Sequence, residues 1–215
     1  MTILEAVEEL DKLFFKYNIK DEKDILGYRQ NLMEYIKSLE NKGLNEEYKK
    51  KEFFYEFVEL QNRVGLDKDL LNNYTMILTR ANKKLGQDFT PDGLLELQSA
   101  IALDEAEELY PTFYDCAGGT GSQVLKAYYK WVEKQKHFDD QFNALLEVDE
   151  YDTYNCYCCV LNFITRGLNA IVRNKNTLTN ETFAVFIMTN RATNGELFSW
   201  YSDYKTILGD EKYEY

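Results

Sequence analysis

Asp115-Cys116-Ala117-Gly118-Gly119-Thr120-Gly121-Ser122 is a glycine-rich stretch between two regular patterns. The apolar, β-prone run Tyr110 to Tyr114 precedes it, and the helical pattern 123–135 follows it. A strand, a tight glycine turn and the start of a helix bring backbone N–H groups against a nucleotide-like ligand, because only glycine allows so close an approach. The stretch therefore predicts a ligand-binding turn in an α/β domain.

Length and composition are those of a folded globular protein. The chain has 215 residues, of which 45% are hydrophobic and 15% aromatic, and this suits one domain or one domain with a helical appendage. It shows neither a signal-peptide pattern nor an apolar run near the roughly 20 residues that cross a bilayer. We therefore expect a cytoplasmic protein that makes no membrane contact.

Negative charge is concentrated in the second part of the chain. The net charge is −12, and residues 87–215 carry −11 of it. Proteins that bind the phosphate backbone usually present a basic surface. We therefore expect DNA contact to be weak or to be supplied by a partner subunit. Two other interpretations of the acidity are a surface that mimics DNA and simple solubility.

The four cysteines do not form a recognisable metal motif. Cys116 lies in the glycine turn, while Cys156, Cys158 and Cys159 share one predicted helix. Adjacent residues point to different faces of a helix and the chain has no second CxxC pair, so the geometry for structural zinc is poor. We expect buried free thiols and no bound metal, with a metal site as the alternative. The single histidine, His137, is expected on the surface of a charged helix.

Residues 1–86 are predicted to form an all-helical N-terminal domain. Thr2 and Glu5 make a capping box before the first apolar stripe, and glycines follow the later stripes as stop signals. Further helices are expected over about 22–39, 45–64 and 68–84. Their aromatic stripes are expected to pack against one another, although a groove for a partner helix is the alternative.

Residues 87–215 are predicted to form an α/β domain. Thr90 and Pro91 are suitable residues for the start of a helix over 92–103. The pattern then alternates between strands and helices. Strands are expected over 113–116, 144–148 and 183–188, with a short extended piece over 170–173, and helices over 123–136 and 151–169. Such alternation implies parallel βαβ units with a ligand at the carboxyl ends of the strands.

An acidic residue at the end of the second strand is the usual partner of ribose hydroxyls in dinucleotide-type folds. Glu147 ends the predicted strand Ala144-Leu145-Leu146 and fits that role, unless it only caps the strand. Val148 would then pack on an adenine face. Asp149 and Glu150 are expected to begin the next helix, where acids favour the positive end of the helix dipole.

The glycine turn departs from the GxGxxG fingerprint of nicotinamide cofactors. Its glycines are closer together, and Asp115 immediately precedes them. An acid there repels a pyrophosphate and attracts a positive charge. S-adenosylmethionine carries an ammonium and a sulfonium and has no phosphate, so the turn favours this methyl donor.

Five stretches, taken in order, resemble consecutive motifs of N6-adenine DNA methyltransferases, above all of the modification subunit of type I restriction-modification systems. They are Gly86 to Pro91, Asp115 to Ser122, Glu147 to Asp149, Asn162 with Arg166 to Leu168, and Asn176 to Leu178. The resemblance implies a partial Rossmann-like S-adenosylmethionine-dependent methyltransferase fold behind the helical N-terminal domain, in a bacterial cytoplasm.

The resemblance also implies roles for individual residues. Phe89, Thr90 and Pro91 would lie against the methionine end of the donor, and Asn176 stands where related enzymes usually place an Asp that faces adenine. The donor-binding residues that it implies are Phe89, Thr90, Pro91, Asp115, Ala117, Gly119, Thr120, Gly121, Glu147, Val148 and Asn176.

The catalytic motif of the family is degenerate in this chain. Related enzymes carry Asn/Asp-Pro-Pro-Tyr/Phe, in which the Asn binds the exocyclic amine and the aromatic ring stacks on the flipped base. Here the corresponding residues are Asn190-Arg191-Ala192-Thr193, so only the candidate catalytic Asn190 is retained. Loss of the aromatic residue removes stacking of about 1–3 kcal/mol.

These features favour a donor-binding, methyltransferase-like protein that is catalytically incomplete. It would act through a protein partner, as a decoy or inhibitor of a restriction, modification or other defence complex, in the manner of a small mobile-element protein. One alternative is an active adenine methyltransferase that uses Asn190 beside a specificity subunit. The other is an acidic interaction protein that binds no cofactor.

Overall fold

The computed structural model describes residues 1–20, 28–40, 52–81, 93–97, 111–135, 143–190 and 202–208. Several expectations lie outside these ranges. They are the donor-binding roles of Phe89, Thr90 and Pro91, the domain boundary at residues 86 and 87, the surface position of His137 and the loop Arg191-Ala192-Thr193. Residues 93–97 are helical, in agreement with the start of the helix expected over 92–103.

Within the described ranges, four helices with assigned bounds precede the sheet, in addition to the helical residues 93–97. They are α1 (Ile3–Lys16), α2 (Tyr28–Lys37), α3 (Glu52–Val64) and α4 (Leu70–Ala81). The predicted capping box is present, since the Glu5 N–H donates to Thr2 Oγ1 at 3.3 Å and the Thr2 N–H to Glu5 Oε2 at 2.8 Å.

The aromatic stripes of these helices pack on each other, as expected. The ring of Phe14 lies 5.8 Å from that of Tyr28, 6.0 Å from that of Phe53 and 5.0 Å from that of Tyr74. Because α1 to α4 each contribute a ring to this cluster, their apolar sides are used for mutual packing.

A five-stranded mixed sheet forms the second part of the described chain. Its strands lie in the order β1 (Thr112–Asp115), β2 (Leu145–Glu150), β3 (Ala170–Asn176), β4 (Glu181–Thr189) and β5 (Asp203–Leu208). The first three strands are parallel, and the crossovers between them contain α5 (Ser122–Val132) and α6 (Thr153–Ile164). The predicted βαβ units are therefore present for β1, β2 and β3.

The last two strands correct the expectation of a parallel arrangement. β4 is antiparallel to β3, and β5 is antiparallel to β4. The physical reason is the short connection, because residues 177–180 form a turn and a parallel crossover needs about a dozen residues or more. The extended piece expected over 170–173 is a full strand, and β5 was not predicted at all.

The boundary between β2 and α6 also differs from the prediction. β2 continues to Glu150 instead of ending near Val148, and α6 begins at Thr153 and ends at Ile164. Asp152 is the N-cap, because its side chain accepts the Asn155 N–H at 3.1 Å. Asp149 and Glu150 are therefore strand residues and not the first residues of a helix.

Helix α6 is buried on all sides between the sheet and the N-terminal helices. Tyr157 packs against Phe186 of β4, with ring centroids 5.0 Å apart. Tyr154, one turn earlier on the helix, packs against Tyr28 of α2, at 5.9 Å. A helix that is apolar all round is expected in such a position, and α1 to α4 share one continuous buried cluster with the sheet and its helices.

The cysteines of α6 belong to this core. Cys156, Cys158 and Cys159 are buried free thiols, as expected, whereas Cys116 is a free thiol that lies exposed in the glycine turn. Burial raises the pKa of all three helical thiols above the ordinary value. Their role in the described structure is packing.

Candidate functional site

The glycine turn connects β1 to α5 at the carboxyl edge of the parallel strands. Gly119 and Gly121 have φ of +57° and +88°, in the left-handed region that favours glycine. The Gly121 N–H donates to Gly118 O at 2.8 Å, and the Gly118 N–H donates to Asp149 O of β2 at 3.2 Å. The turn predicted from the sequence is therefore formed where two parallel strands end.

The inner side of the turn faces the core. A Cβ at Gly121 would lie 2.8 Å from Cys159 Sγ and 2.9 Å from Phe163 Cζ, so α6 leaves no space for a side chain there. Thr120 is 1% exposed, and its backbone oxygen accepts a hydrogen bond from Asn162 Nδ2 at 2.9 Å. Two predicted donor-binding residues, Thr120 and Gly121, are therefore placed on the protein side of the turn.

The outer side of the turn is open. A Cβ at Gly119 would meet no atom within 4 Å. Asp115 Oδ1 accepts the Ala117 N–H at 3.0 Å, which fixes the start of the turn. Ala117 is exposed and Asp115 is partly buried. Of the predicted donor-binding residues, these three have atoms on the side from which a ligand can approach.

Glu150 is an acid at this edge that the sequence reasoning did not select. Its Oε2 accepts the Gly119 N–H at 2.9 Å, and its Oε1 accepts the Asp152 N–H at 2.7 Å. Each carboxylate oxygen has a second lone pair, so both can still accept hydroxyl protons. The signal in the sequence was the N-cap pattern at Asp152, which begins the helix after Tyr151 and so leaves Glu150 outside it.

Glu147 is not brought to the turn. It lies within β2 on the sheet face opposite α5 and α6, where its carboxylate is paired with Arg173 of β3. Arg173 also bonds Asp149 at 3.1 Å, and Lys175 lies 3.2 Å from the same carboxylate. Tyr114 donates to Asp149 at 2.9 Å. Burial, then the bond to Asp149, raises the pKa of Tyr114 to about 12.

Val148 and Asn176 also have structural contacts that differ from their expected roles. Val148 is fully buried under the turn, where a Cβ at Gly118 would lie 2.7 Å from its Cγ1. It therefore lies beneath the turn and supports it. Asn176 lies at the same sheet edge as the turn, but its Oδ1 accepts the N–H groups of Leu178 at 3.1 Å and Thr179 at 3.3 Å.

A cleft of about 730 Å³ opens beside Glu150, on the other side of the β2–α6 connection. Tyr151 and Phe183 are exposed at this cleft with ring centroids 6.1 Å apart. Asn174 is at its floor and donates to the backbone oxygens of Glu150 at 3.1 Å and Tyr151 at 2.8 Å. The residues that line the cleft are Arg29, Gln30, Met33, Tyr151, Asp152, Thr153, Tyr154, Asn174 and Phe183.

Asn190 is placed at the opposite edge of the sheet from the glycine turn. Because β4 runs antiparallel to β3, its end lies beside the beginning of β3. The Asn190 N–H donates to Asn169 Oδ1 at 2.8 Å, its Nδ2 donates to Gly167 O at 2.7 Å, and the residue is fully buried. The structure therefore places the candidate catalytic Asn190 at the end of the sheet away from the glycine turn.

The N-6 DNA methylase family model matches residues 68–215, which is more than half of the chain. The chain belongs to the N-6 DNA methylase family. Among solved structures, the methyltransferase subunit of a type I restriction-modification system from Streptococcus thermophilus is similar. It has 17% identity and a TM-score of 0.39, and the match covers 81% of this chain and 47% of that chain. The chain thus spans about half the length of that subunit. No curated protein matches the chain.

The part of this methylase family member that the family model matches begins just before α4. It includes the glycine turn, Glu150 and the cleft residues Asn174 and Phe183. Across the described ranges, no three His, Cys, Asp or Glu side chains come together in a group that could hold a metal ion. No helix in those ranges is long and apolar enough to cross a membrane.

Proposed function

We propose that this methylase family member binds S-adenosylmethionine, or its demethylated product, at the edge formed by the glycine turn and the end of β2. The observation that carries the proposal is the junction of an open backbone at Gly119 with the carboxylate of Glu150 at 2.9 Å. The donor's ribose hydroxyls would reach the Glu150 oxygens, and its charged methionine end would lie near Asp115.

Charge supports a cationic donor over a phosphate-containing cofactor. Asp115 and Glu150 flank the open side of the turn, and no Lys or Arg is bonded to either carboxylate among the described contacts. Two uncompensated carboxylates repel a pyrophosphate and attract a sulfonium and an ammonium. The residues therefore fit S-adenosylmethionine.

The cleft beside Glu150 supplies room for the adenine ring. Tyr151 and Phe183 present aromatic faces, and such faces stack on any base. Asn174, two residues before the Asn176 of the sequence-based expectation, contributes amide atoms to the floor. Bound donor would thus extend from the turn over Glu150 into the cleft. When bound, it supplies a transferable methyl group.

We further propose that this chain does not methylate adenine by itself. Asn190, the remaining residue of the catalytic motif, is buried at the far edge of the sheet, and the motif lacks both prolines and the aromatic residue. The chain would act through a protein partner in a restriction, modification or other defence complex, as a decoy or inhibitor. DNA contact would be weak or made by that partner.

Calorimetry with S-adenosylmethionine and with S-adenosylhomocysteine tests the donor-binding proposal. We expect 1:1 binding of at least one of them, and the absence of binding by both at millimolar concentration would overturn it. Incubation with labelled donor and adenine-containing DNA tests the second proposal. We expect no label in the DNA, and transfer by the chain alone would show an active methyltransferase.

A further inference from the structure

Asp69 precedes α4 and links that helix to the glycine turn. It is 5% exposed. Its Oδ1 accepts the Asn72 N–H at 2.9 Å, as an N-cap residue does. Its Oδ2 accepts the hydroxyl protons of Thr120 at 2.5 Å and Ser122 at 2.7 Å. One buried carboxylate therefore joins the start of a helix to a turn that lies about 50 positions further along the chain.

The backbone around Asp69 is held in place independently of its side chain. Arg166, which is buried just after the end of α6, donates to Leu66 O and Lys68 O, both at 2.9 Å. Gln61 Nε2 donates to Gly65 O at 2.7 Å and to Lys68 O at 2.8 Å. The backbone before Asp69 is thus fixed by hydrogen bonds, and it places the Asp69 carboxylate next to the turn.

The turn receives a second contact from α6. Asn162 Nδ2 donates to Thr120 O, and Arg166 donates to Asn162 O at 2.7 Å. Two residues, Asp69 and Asn162, hold the turn at Thr120. Arg166 is linked to both, because it donates to the backbone just before Asp69 and to the backbone oxygen of Asn162. Thr120 is held at its hydroxyl by Asp69 and at its backbone oxygen by Asn162.

We propose that Asp69 is a positioning residue of the donor site. Through Thr120 and Ser122 it sets the conformation of the turn, so that donor affinity depends on the start of α4. The inference rests on the proposed function, since it assumes that the open side of this turn receives the donor. Because coupling is reciprocal, bound donor must also stabilise the start of α4.

The link can be broken from the turn side while Asp69 still caps α4. Thr120→Val keeps the shape of the side chain and removes the hydroxyl, and Ser122→Ala removes the second one. We expect the double variant to bind S-adenosylmethionine about tenfold more weakly, within the 5–150-fold range typical of coupled sites. Asp67→Asn is the matched control, because Asp67 is on the same segment but bonds Lys126 of α5 at 2.8 Å.

Hydrogen exchange provides a readout that a purely structural role does not change. In the wild type, donor should slow exchange of the first amides of α4, Leu70 to Asn73, and in the double variant it should not. If the double variant does not fold, Asp69→Asn replaces it, because Asn caps helices as well as Asp but carries no charge. Unchanged donor affinity in the folded variant would overturn the proposal.

The two proposals fail in different ways. If the wild type binds no donor, the proposed function fails. Hydrogen exchange of the turn amides, residues 118–121, measured without ligand, then tests whether Asp69 positions the turn. Faster exchange of these amides in the double variant than in Asp67→Asn supports positioning by Asp69. Equal exchange in the two variants overturns it.

Discussion

The carboxylate of Glu150 accepts a hydrogen bond from the backbone N–H of Gly119 at 2.9 Å. This bond ties the end of β2 to the turn after β1 and leaves acceptor capacity on the side where a ligand can enter. Glu147, three residues earlier in the same strand, points to the other face and is paired with Arg173. Substitution of Glu150 is therefore expected to weaken donor binding, whereas substitution of Glu147 is not.

Glu150→Gln is expected to weaken S-adenosylmethionine binding by roughly ten- to a hundredfold, because hydrogen bonds to a charged group contribute about 1.5–3 kcal/mol. Glu147→Gln should change the dissociation constant by no more than about twofold, as a change distant from the ligand does. Calorimetry on the two variants makes the comparison. The reverse ranking would show that Glu147 is the ribose-binding acid.

Asn190→Ala is expected to destabilise the fold without changing donor affinity. The substitution leaves the buried oxygen of Gly167 without its donor, and such a loss costs about 1–3 kcal/mol. Urea unfolding measures the first effect and calorimetry the second. A variant of unchanged stability that binds donor differently would contradict the placement of Asn190 at the far edge.

Gly121→Ala should destabilise the protein more than Gly119→Ala. Both glycines have positive φ, which costs an alanine about 1–2 kcal/mol. At Gly121 the new Cβ also meets Cys159 and Phe163, and overpacking adds about 1–3 kcal/mol. The free energy of unfolding of both variants checks this order.

Gly119→Ala should in contrast mainly reduce the affinity for the donor. Its Cβ enters the open space above the turn, where no protein atom lies within 4 Å, and would obstruct the approach of a donor. We expect lost donor binding in a protein that still folds. Normal binding by this variant would show that the ligand does not contact Gly119.

Stability should fall at alkaline pH because buried tyrosines resist ionisation. Burial raises the pKa of Tyr129 and of Tyr157, each to about 12. A tyrosine of the unfolded chain ionises near pH 10. Between these values the unfolded chain binds fewer protons than the folded one, so the free energy of unfolding decreases as pH rises. The contribution of these two tyrosines is therefore complete below about pH 10 and is lost as pH rises towards 12.

Thermal unfolding between pH 8 and pH 12 measures this loss. Tyr157→Phe is the matched variant, because it removes one such group and keeps the ring that packs against Phe186. The melting temperature of this variant should decline less steeply above pH 10 than that of the wild type. Parallel curves would show that Tyr157 does not contribute.

Local sequence patterns were sufficient to predict many of the helices, strands and turns of this protein. The capping box at Thr2, the aromatic stripes, the glycine turn and the βαβ units of β1 to β3 follow from residue spacing, because side-chain periodicity and the conformational freedom of glycine act over a few residues. The family resemblance had the same origin, since its motifs are short stretches in a fixed order.

Tertiary structure decided which side chains share the site. The number of residues in β2 places Glu150 at the edge and Glu147 on a sheet face, because alternate strand residues point to opposite faces. The short turn after β3 makes β4 antiparallel, and this moves Asn190 to the far edge. Asp69 reaches Thr120 only because α4 packs beside the turn. Register, strand direction and contacts between distant residues depend on the whole fold, and no local pattern contains them.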